Sequence, residues 1–321
     1  MRELRRTMKT PASLQLDRRH VIVGLGAVMA APGLPVSSLA AIAPFKRNVG
    51  AIEVMVVSDG TLSVPLSFML PETPAAEAMA LFVAHGLPPQ GPLPQINVTL
   101  VKTGTELVLI DAGAGSNFQD NAGKLAENME AAGISTAAVT KIVFTHGHAD
   151  HLWGAIDDFD GSERFANATY VIAAAEWDFW LDPNTPASVP DWLQGQARGS
   201  ARTLKRLEAK TERRKAGDAV APGVAYVDTS GHTPGHMSVM IENGGERLFI
   251  GADALTNAAV SFARPEWRVG ADLDRDRGVA TRKRLLDQLA TDQLPLVGFH
   301  LPWPGHGRVE RSGAAYRFVP I

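Results

Sequence analysis

From residue 44 onward, short apolar runs alternate with polar, glycine-containing segments. Nine runs have the length and β-branched or aromatic content of strands: 52–58, 96–102, 107–110, 141–145, 169–172, 224–227, 237–241, 248–250 and 295–299. Asp59-Gly60 interrupts the first apolar stretch and predicts a turn, hence a hairpin over 52–66. Ala122, Leu125, Ala126 and Met129 recur at helical spacing, and Gly133 is placed to close that helix. Segments 173–181 and 274–290 also carry helical patterns, whereas proline-rich 70–94 reads as a surface loop. No internal repeat and no second composition regime is visible. Strands and helices mixed in one continuous pattern predict a single α/β or α+β domain over 44–321.

The first 43 residues follow a different pattern. Arg18-Arg19 precede an apolar run from Val21 to Ala31, and small residues follow. A charged start, a short apolar centre and a small-residue zone predict a signal peptide with a short linker, cleaved near Ala40. The paired arginines before a weakly apolar run suit a twin-arginine export route, although Asp17 and His20 flank them. Such a run is too short to span a bilayer, and Pro32 and Pro35 break it, so no stable membrane anchor is expected. Gly24 and Gly26 imitate a dinucleotide-binding turn. Met29 in place of its third small residue, and the early Pro32, exclude that reading. The mature chain is thus expected in the periplasm or outside the cell.

Charge and cysteine content narrow the function classes. Residues 1–40 hold six Lys/Arg against two Asp/Glu, so the remainder carries 25 against 32 and a net charge of −7. An acidic body without a basic stripe argues against nucleic acid as a partner. There is no cysteine, so any metal must be held by nitrogen and oxygen.

Chemistry concentrates in THGHADH, residues 145–151, which carries three of the nine histidines. The preceding run 141–145 reads as a buried strand, so His146, His148, Asp150 and His151 fall in the loop at its C-terminal end, where ligands gather on layered scaffolds. His146 and His148, two apart, can aim at one point, and Asp150 and His151 at a second one nearby. Imidazole and carboxylate suit zinc and other first-row metals. One loop cannot close two sites, and three further strand candidates end in possible ligands: GHTPGH (231–236), GAD (251–253) and His300.

With these motifs in family order after the Asp111-x-Gly113 turn, the chain resembles the metallo-β-lactamase superfamily. Within it, SDGT (58–61), DFWL (178–181), GHTPGH and YRFVP (316–320) look most like the methyl parathion hydrolase group of exported metallohydrolases. The resemblance implies an α/β fold, an αββα sandwich of two mixed β-sheets flanked by helices. It also implies a dinuclear site with two divalent ions, zinc being the expected metal. His146, His148 and His232 would hold one ion, Asp150, His151 and His300 the other, and Asp253 would bridge both, with His236 behind the ligands. A bridging hydroxide would attack the substrate, with Asp150 and Asp253 as the implied catalytic carboxylates. Phe118 and Trp180 match positions lining the leaving-group pocket of that group; Trp153, Trp177 and Phe262 also lie near ligands. His306 is read as capping a turn, and His85 as outside the site. The implied substrates are small uncharged esters, lactones or phosphotriesters, and a homodimer is compatible with the sequence. A non-catalytic member of the fold would be expected to lack a ligand, and all seven are intact. A true β-lactamase would lack the carboxylate bridge, and a glutathione thiolesterase would carry a basic C-terminal region. Ala149 stands where a proline is common in relatives.

Overall fold

The computed structural model describes residues 43–321, so the signal peptide and linker expected over 1–43 lie outside the described residues apart from Ala43. The first sheet comprises β1 (Phe45–Val49), β2 (Ile52–Thr61), β3 (Gln95–Thr103), β4 (Glu106–Ile110), β5 (Lys141–Val143), β6 (Thr169–Ala173) and β7 (Thr211–Arg214). The second comprises β8 (Ala219–Ala221), β9 (Val224–Asp228), β10 (Met237–Asn243), β11 (Glu246–Ala252), β12 (Leu296–Gly298), β13 (His306–Ser312) and β14 (Ala315–Pro320). Spatial order follows chain order in both sheets. Pairing is parallel from β4 to β7 and between β11 and β12, and antiparallel elsewhere, so both sheets are mixed.

The helices are α1 (Leu66–Met69), α2 (Ala75–Ala84), α3 (Leu125–Ala131), α4 (Ala149–Leu152), α5 (Ala174–Leu181), α6 (Thr185–Ser188), α7 (Asp191–Leu207), α8 (Val260–Ala263) and α9 (Arg275–Thr291). Period-two alternation in β2 explains the layering. Val54 and Val56 pack between the sheets against Val239, Ile241 and Ile250, while Met55 and Val57 face the core shared with α3, α5 and α7. On the far side, Leu285, Leu286 and Leu289 of α9 cover Phe249 and Leu296. The result is the expected four-layer arrangement of helices, sheet, sheet and helices.

All nine expected strands form, as do the three expected helices. Three readings need correction. Asp59-Gly60 is not a hairpin turn: it lies within β2, which pairs with β1 and β3, at a register shift between Ser58 and Thr61. The Asp59 carboxylate is buried and accepts from the amides of Ala114 (2.7 Å) and Leu125 (2.6 Å), long-range contacts that a turn signal cannot reveal. Segment 70–94 contains α2, whose Ala78, Leu81 and Phe82 are buried. Finally, β1, β7, β8, β13, β14 and the long α7 went unread. β7 is a polar sheet edge, and α7 carries Gly195 and Gly199 inside a helix.

Candidate metal centre

The loop after β5 is shaped by Asp111, at the end of β4. Asp111 adopts φ 63°, and its carboxylate accepts from the Thr145 amide (2.7 Å), the Thr145 hydroxyl (2.8 Å) and His151 Nδ1 (2.8 Å). A non-glycine residue in the left-handed region is costly, and here its side chain fixes both ends of the ligand loop. With its Nδ1 proton committed to Asp111, the His151 ring turns Nε2 toward the site.

Two groups of donors converge. His146, His148, His232 and Asp253 form one, and Asp150, His151 and His300 the other, the donor atoms within each group lying within 4.8 Å of one another. In the first, His148 Nδ1 lies 3.0 Å from His146 Nε2 and 2.9 Å from His232 Nε2, and Asp253 Oδ2 lies 3.2 Å from His232 Nε2. In the second, Asp150 Oδ2 is 3.3 Å from His300 Nε2 and 3.5 Å from His151 Nε2. Asp253 reaches both groups, with Oδ1 3.2 Å from His151 Nε2 and Oδ2 3.3 Å from His300 Nε2. All seven residues are buried, with His300 the most exposed at 9%.

These donors fit divalent cations. Ligands bonded tetrahedrally at about 2.0 Å sit about 3.3 Å apart, close to the separations found. His151 Nε2 and Asp253 Oδ1 are buried without any hydrogen-bond partner, which is costly unless a cation satisfies them. The electrostatics agree. Burial opposes charge on Asp253, yet His300, His151 and His232 hold its carboxyl well below the usual range. Burial likewise opposes charge on His232 and His300, but Asp253 raises them to about 9 and about 10. Burial, then His151 for one and His232 for the other, push His146 and His148 well below the usual imidazole value. Neutral imidazoles and an ionised carboxylate are the ligand forms, and a cation displaces the remaining imidazolium protons.

The donors form the floor of a cleft of about 320 Å³, into which His148, Asp150, His232, Asp253 and His300 project. Leu62, Val64, Phe68, Met69, Phe118, Trp192 and Val269 give it apolar walls, with Gln119, Gln196 and Thr256 among the polar groups. Among the described residues, no lysine or arginine lines it. Phe118 lines the cleft, its ring edge-to-face with Trp153 at 5.9 Å. Trp180 does not. It is fully buried beneath the ligand loop, edge-on to His148 at 5.6 Å, and donates its indole N–H to Glu176. The aromatic wall instead includes Trp192 and Phe68, edge-to-face at 4.7 Å. Trp177 lies under the Arg213 guanidinium, and Phe262 packs on Phe318 in the core. His306 starts β13 and bonds Arg47 and the Ile321 carbonyl, and His85 bonds the Leu81 carbonyl; neither lines the cleft.

Residues 91–300 match the family model of the Metallo-beta-lactamase superfamily. The chain belongs to that superfamily. Among solved structures, it is similar to AidC, a dizinc quorum-quenching lactonase in complex with the product N-hexnoyl-L-homoserine. The TM-score is 0.82 and the identity 27%, covering 88% of this chain and 98% of that one. The hydrolase AbOPH of the beta lactamase superfamily is similar with a TM-score of 0.80 and 29% identity, covering 87% of this chain and 98% of AbOPH. An uncharacterized protein of Mycobacterium tuberculosis (strain ATCC 25618 / H37Rv), Rv2581c, is 28% identical over 227 residues, 68% of this chain and 88% of its own length.

As a superfamily member, the chain supports its ligands with groups that motif reading did not find. Glu176, fully buried on α5, accepts from the Gly147 amide (2.9 Å), the Thr233 hydroxyl (2.7 Å), the Gly235 amide (3.0 Å) and Trp180. One carboxylate thus joins the His146–His148 loop to the His232 loop. Burial raises its pKa, the bonds from Trp180 and Thr233 opposing. Gly147 is required between the two histidines because a Cβ there would collide with the Trp180 indole. His236 Nε2 accepts from the Asp253 amide (3.1 Å), so it positions that ligand from behind; burial, then His232, push it down to about 3. From the first sheet, Gln95 O contacts His300 Nδ1 at 2.7 Å, and Asn97 Nδ2 donates to the carbonyls of Gly298 and Leu301. The sequence signal for Glu176 is a glutamate in the first turn of the helix that follows the apolar run of β6.

Proposed function

We propose that the protein is a dinuclear metal-dependent hydrolase of small uncharged lactones and aryl esters, with phosphotriesters as secondary substrates. The observation that carries this reading is the seven-donor cluster, joined by Asp253, on the floor of an apolar cleft without a cationic side chain among the described residues. Two divalent cations, most simply zinc, would be held by the two donor groups and would supply Lewis acidity and acidify water at neutral pH. Asp150, on the cleft floor, orients an attacking water by accepting one of its hydrogens. Phe68, Phe118 and Trp192 bind the acyl or aryl portion and exclude bulk water from the floor. Gln196 and Thr256 supply neutral hydrogen-bonding groups to a ring or ester oxygen. A phosphodiester would bring a net negative charge into a cleft with no Lys or Arg to meet it.

The dizinc lactonase AidC and the hydrolase AbOPH, each similar over most of this chain, support the reading, as does the local likeness to the methyl parathion hydrolase group. Purified protein should contain two divalent ions per chain and turn over lactones and aryl esters fastest. Two bound ions without turnover of any of these classes, or a preference for phosphodiesters, would refute the assignment. We further propose export with cleavage near Ala40; a mature, active enzyme that begins at Met1 would contradict it.

A further inference from the structure

We propose that Arg282 is a positioning residue that locks one wall of the substrate cleft and the metal ligand His232 into a single unit. Arg282 lies on α9, is 2% exposed, and touches neither the cleft nor a ligand directly. Its Nη2 donates to Asp272 Oδ2 at 2.8 Å, and Asp272 Oδ1 accepts from His232 Nδ1 at 3.0 Å. That chain fixes the tautomer and tilt of His232, leaving Nε2 for the site. Nη1 of the same guanidinium donates to the carbonyls of Pro265 (3.2 Å) and Trp267 (3.0 Å).

The two carbonyls begin the segment that supplies Val269 and Ala271 to the cleft. Downstream the segment is pinned twice more. The Gly270 amide donates to Met69 O of α1 (3.0 Å), and the Leu273 amide donates to His232 O (3.0 Å). Wall and ligand therefore share one cationic anchor. Only a planar, multi-donor cation can satisfy a carboxylate and two carbonyls at once; the single ammonium of a lysine cannot reproduce that fork. The neighbourhood is built for this contact. At Gly278, one turn before Arg282, a Cβ would collide with the Asp272 carboxylate, so no larger residue lets Asp272 approach α9.

The wall half of this inference is independent of the proposed activity; the ligand half rests on His232 holding a cation. Three variants of the full chain separate them: Arg282→Lys, Asp272→Asn and Gly278→Ala. The readouts are the chelator concentration that strips the protein's cations and amide hydrogen exchange across 265–273. Arg282→Lys should lose cations at about 10- to 100-fold lower chelator and exchange the Gly270 and Asp272 amides about tenfold faster. Asp272→Asn should reproduce the cation loss, with exchange at Trp267 and Gly270 staying near that of the parent protein. Gly278→Ala, which displaces Asp272 but keeps the guanidinium, should follow Asp272→Asn. Parent-like exchange in Arg282→Lys overturns the wall half, and parent-like cation retention in Asp272→Asn overturns the ligand half. Should Arg282→Lys fail to fold, Asp272→Asn and Gly278→Ala still decide the ligand half, and Arg282→Gln by exchange decides the wall half. These readouts need no turnover, so failure of the substrate reading leaves them interpretable.

Discussion

From the first sheet, one loop after β5 delivers His146, His148, Asp150 and His151. From the second, His232, Asp253 and His300 arrive separately, on the loops after β9, β11 and β12. The two halves of the centre are therefore organised differently. The first is set by local sequence and steadied by Asp111 at the neighbouring strand end. The second exists only once the sheet has formed, and each of its ligands leans on a different support: Asp272 for His232, His236 for Asp253 and Gln95 of the other sheet for His300. Damage to the second half should consequently spread, whereas damage to one ligand of the first should stay local.

The largest test of that asymmetry is Asp253, whose two carboxylate oxygens face both donor groups. Asp253→Ala should lower cation content at both positions and reduce kcat/KM by more than roughly 100-fold, beyond what support residues typically cost. His148→Ala, in the concentrated loop, should weaken one position while the other keeps its ion. Elemental analysis after dialysis distinguishes the outcomes. Equal loss in the two variants would mean that the halves do not differ in the way described.

Glu176 is where the halves meet, and its removal comes next in size. Glu176→Ala strands the amides of Gly147 and Gly235 and the Thr233 hydroxyl, each costing about 1–3 kcal/mol when buried without a partner. Unfolding should become easier by several kcal/mol, and cations should be lost at about 10- to 100-fold lower chelator. Glu176→Gln keeps an acceptor of similar shape and should suffer less. If chelator resistance were untouched in Glu176→Ala, the bridge would be structural alone.

The same contrast explains what was legible in the sequence. HxHxDH was readable because four potential donors within six positions, at the end of an apolar run, suit a metal far better than a plain polar loop. The dispersed ligands were readable only as polar residues ending apolar runs, and choosing His232 over His236 needed the family resemblance. Geometry gives the reason for the choice: His236 turns Nε2 to the Asp253 amide, while His232 Nε2 joins the donor cluster. Glu176, Asp272 and Arg282 stayed hidden because their partners are backbone groups and side chains far along the chain, contacts that no periodicity encodes. Strands with two buried faces were found, whereas polar edges such as TERR in β7 were not, since alternation fades where one side meets water. The strands that were found give a mixed α/β or α+β domain, and the αββα layering came from the family resemblance.

Trp180 and Trp192 sharpen the comparison at the scale of single side chains. Family likeness nominated Trp180 as a wall, but it supports the ligand loop from beneath through Glu176. Trp180→Phe removes that donor while filling most of the space, so stability should fall by about 1–2 kcal/mol. KM for aryl esters should stay near the parent value, because no cleft surface is lost. A selective rise in KM with unchanged stability would restore Trp180 to the wall.

Trp192→Ala should produce the smallest effect and the opposite profile. The ring is 37% exposed, lies edge-to-face with Phe68 and stands 6.4 Å from His148 at the cleft. Because the side chain is already partly in water, truncation should change unfolding free energy by no more than about 0.5–1 kcal/mol. Cation content should not move, since no ligand or support bonds to the indole. What is lost is apolar surface against the bound acyl or aryl group, about 1 kcal/mol for a modest contact, which corresponds to a KM higher by about fivefold. The loss should be greatest for substrates long or broad enough to reach the Phe68–Trp192 pair and absent for short acyl esters, which stay near the donor floor. A uniform KM change across short and long substrates would place Trp192 in general packing, and the cleft's apolar wall would then have to be sought at Phe118.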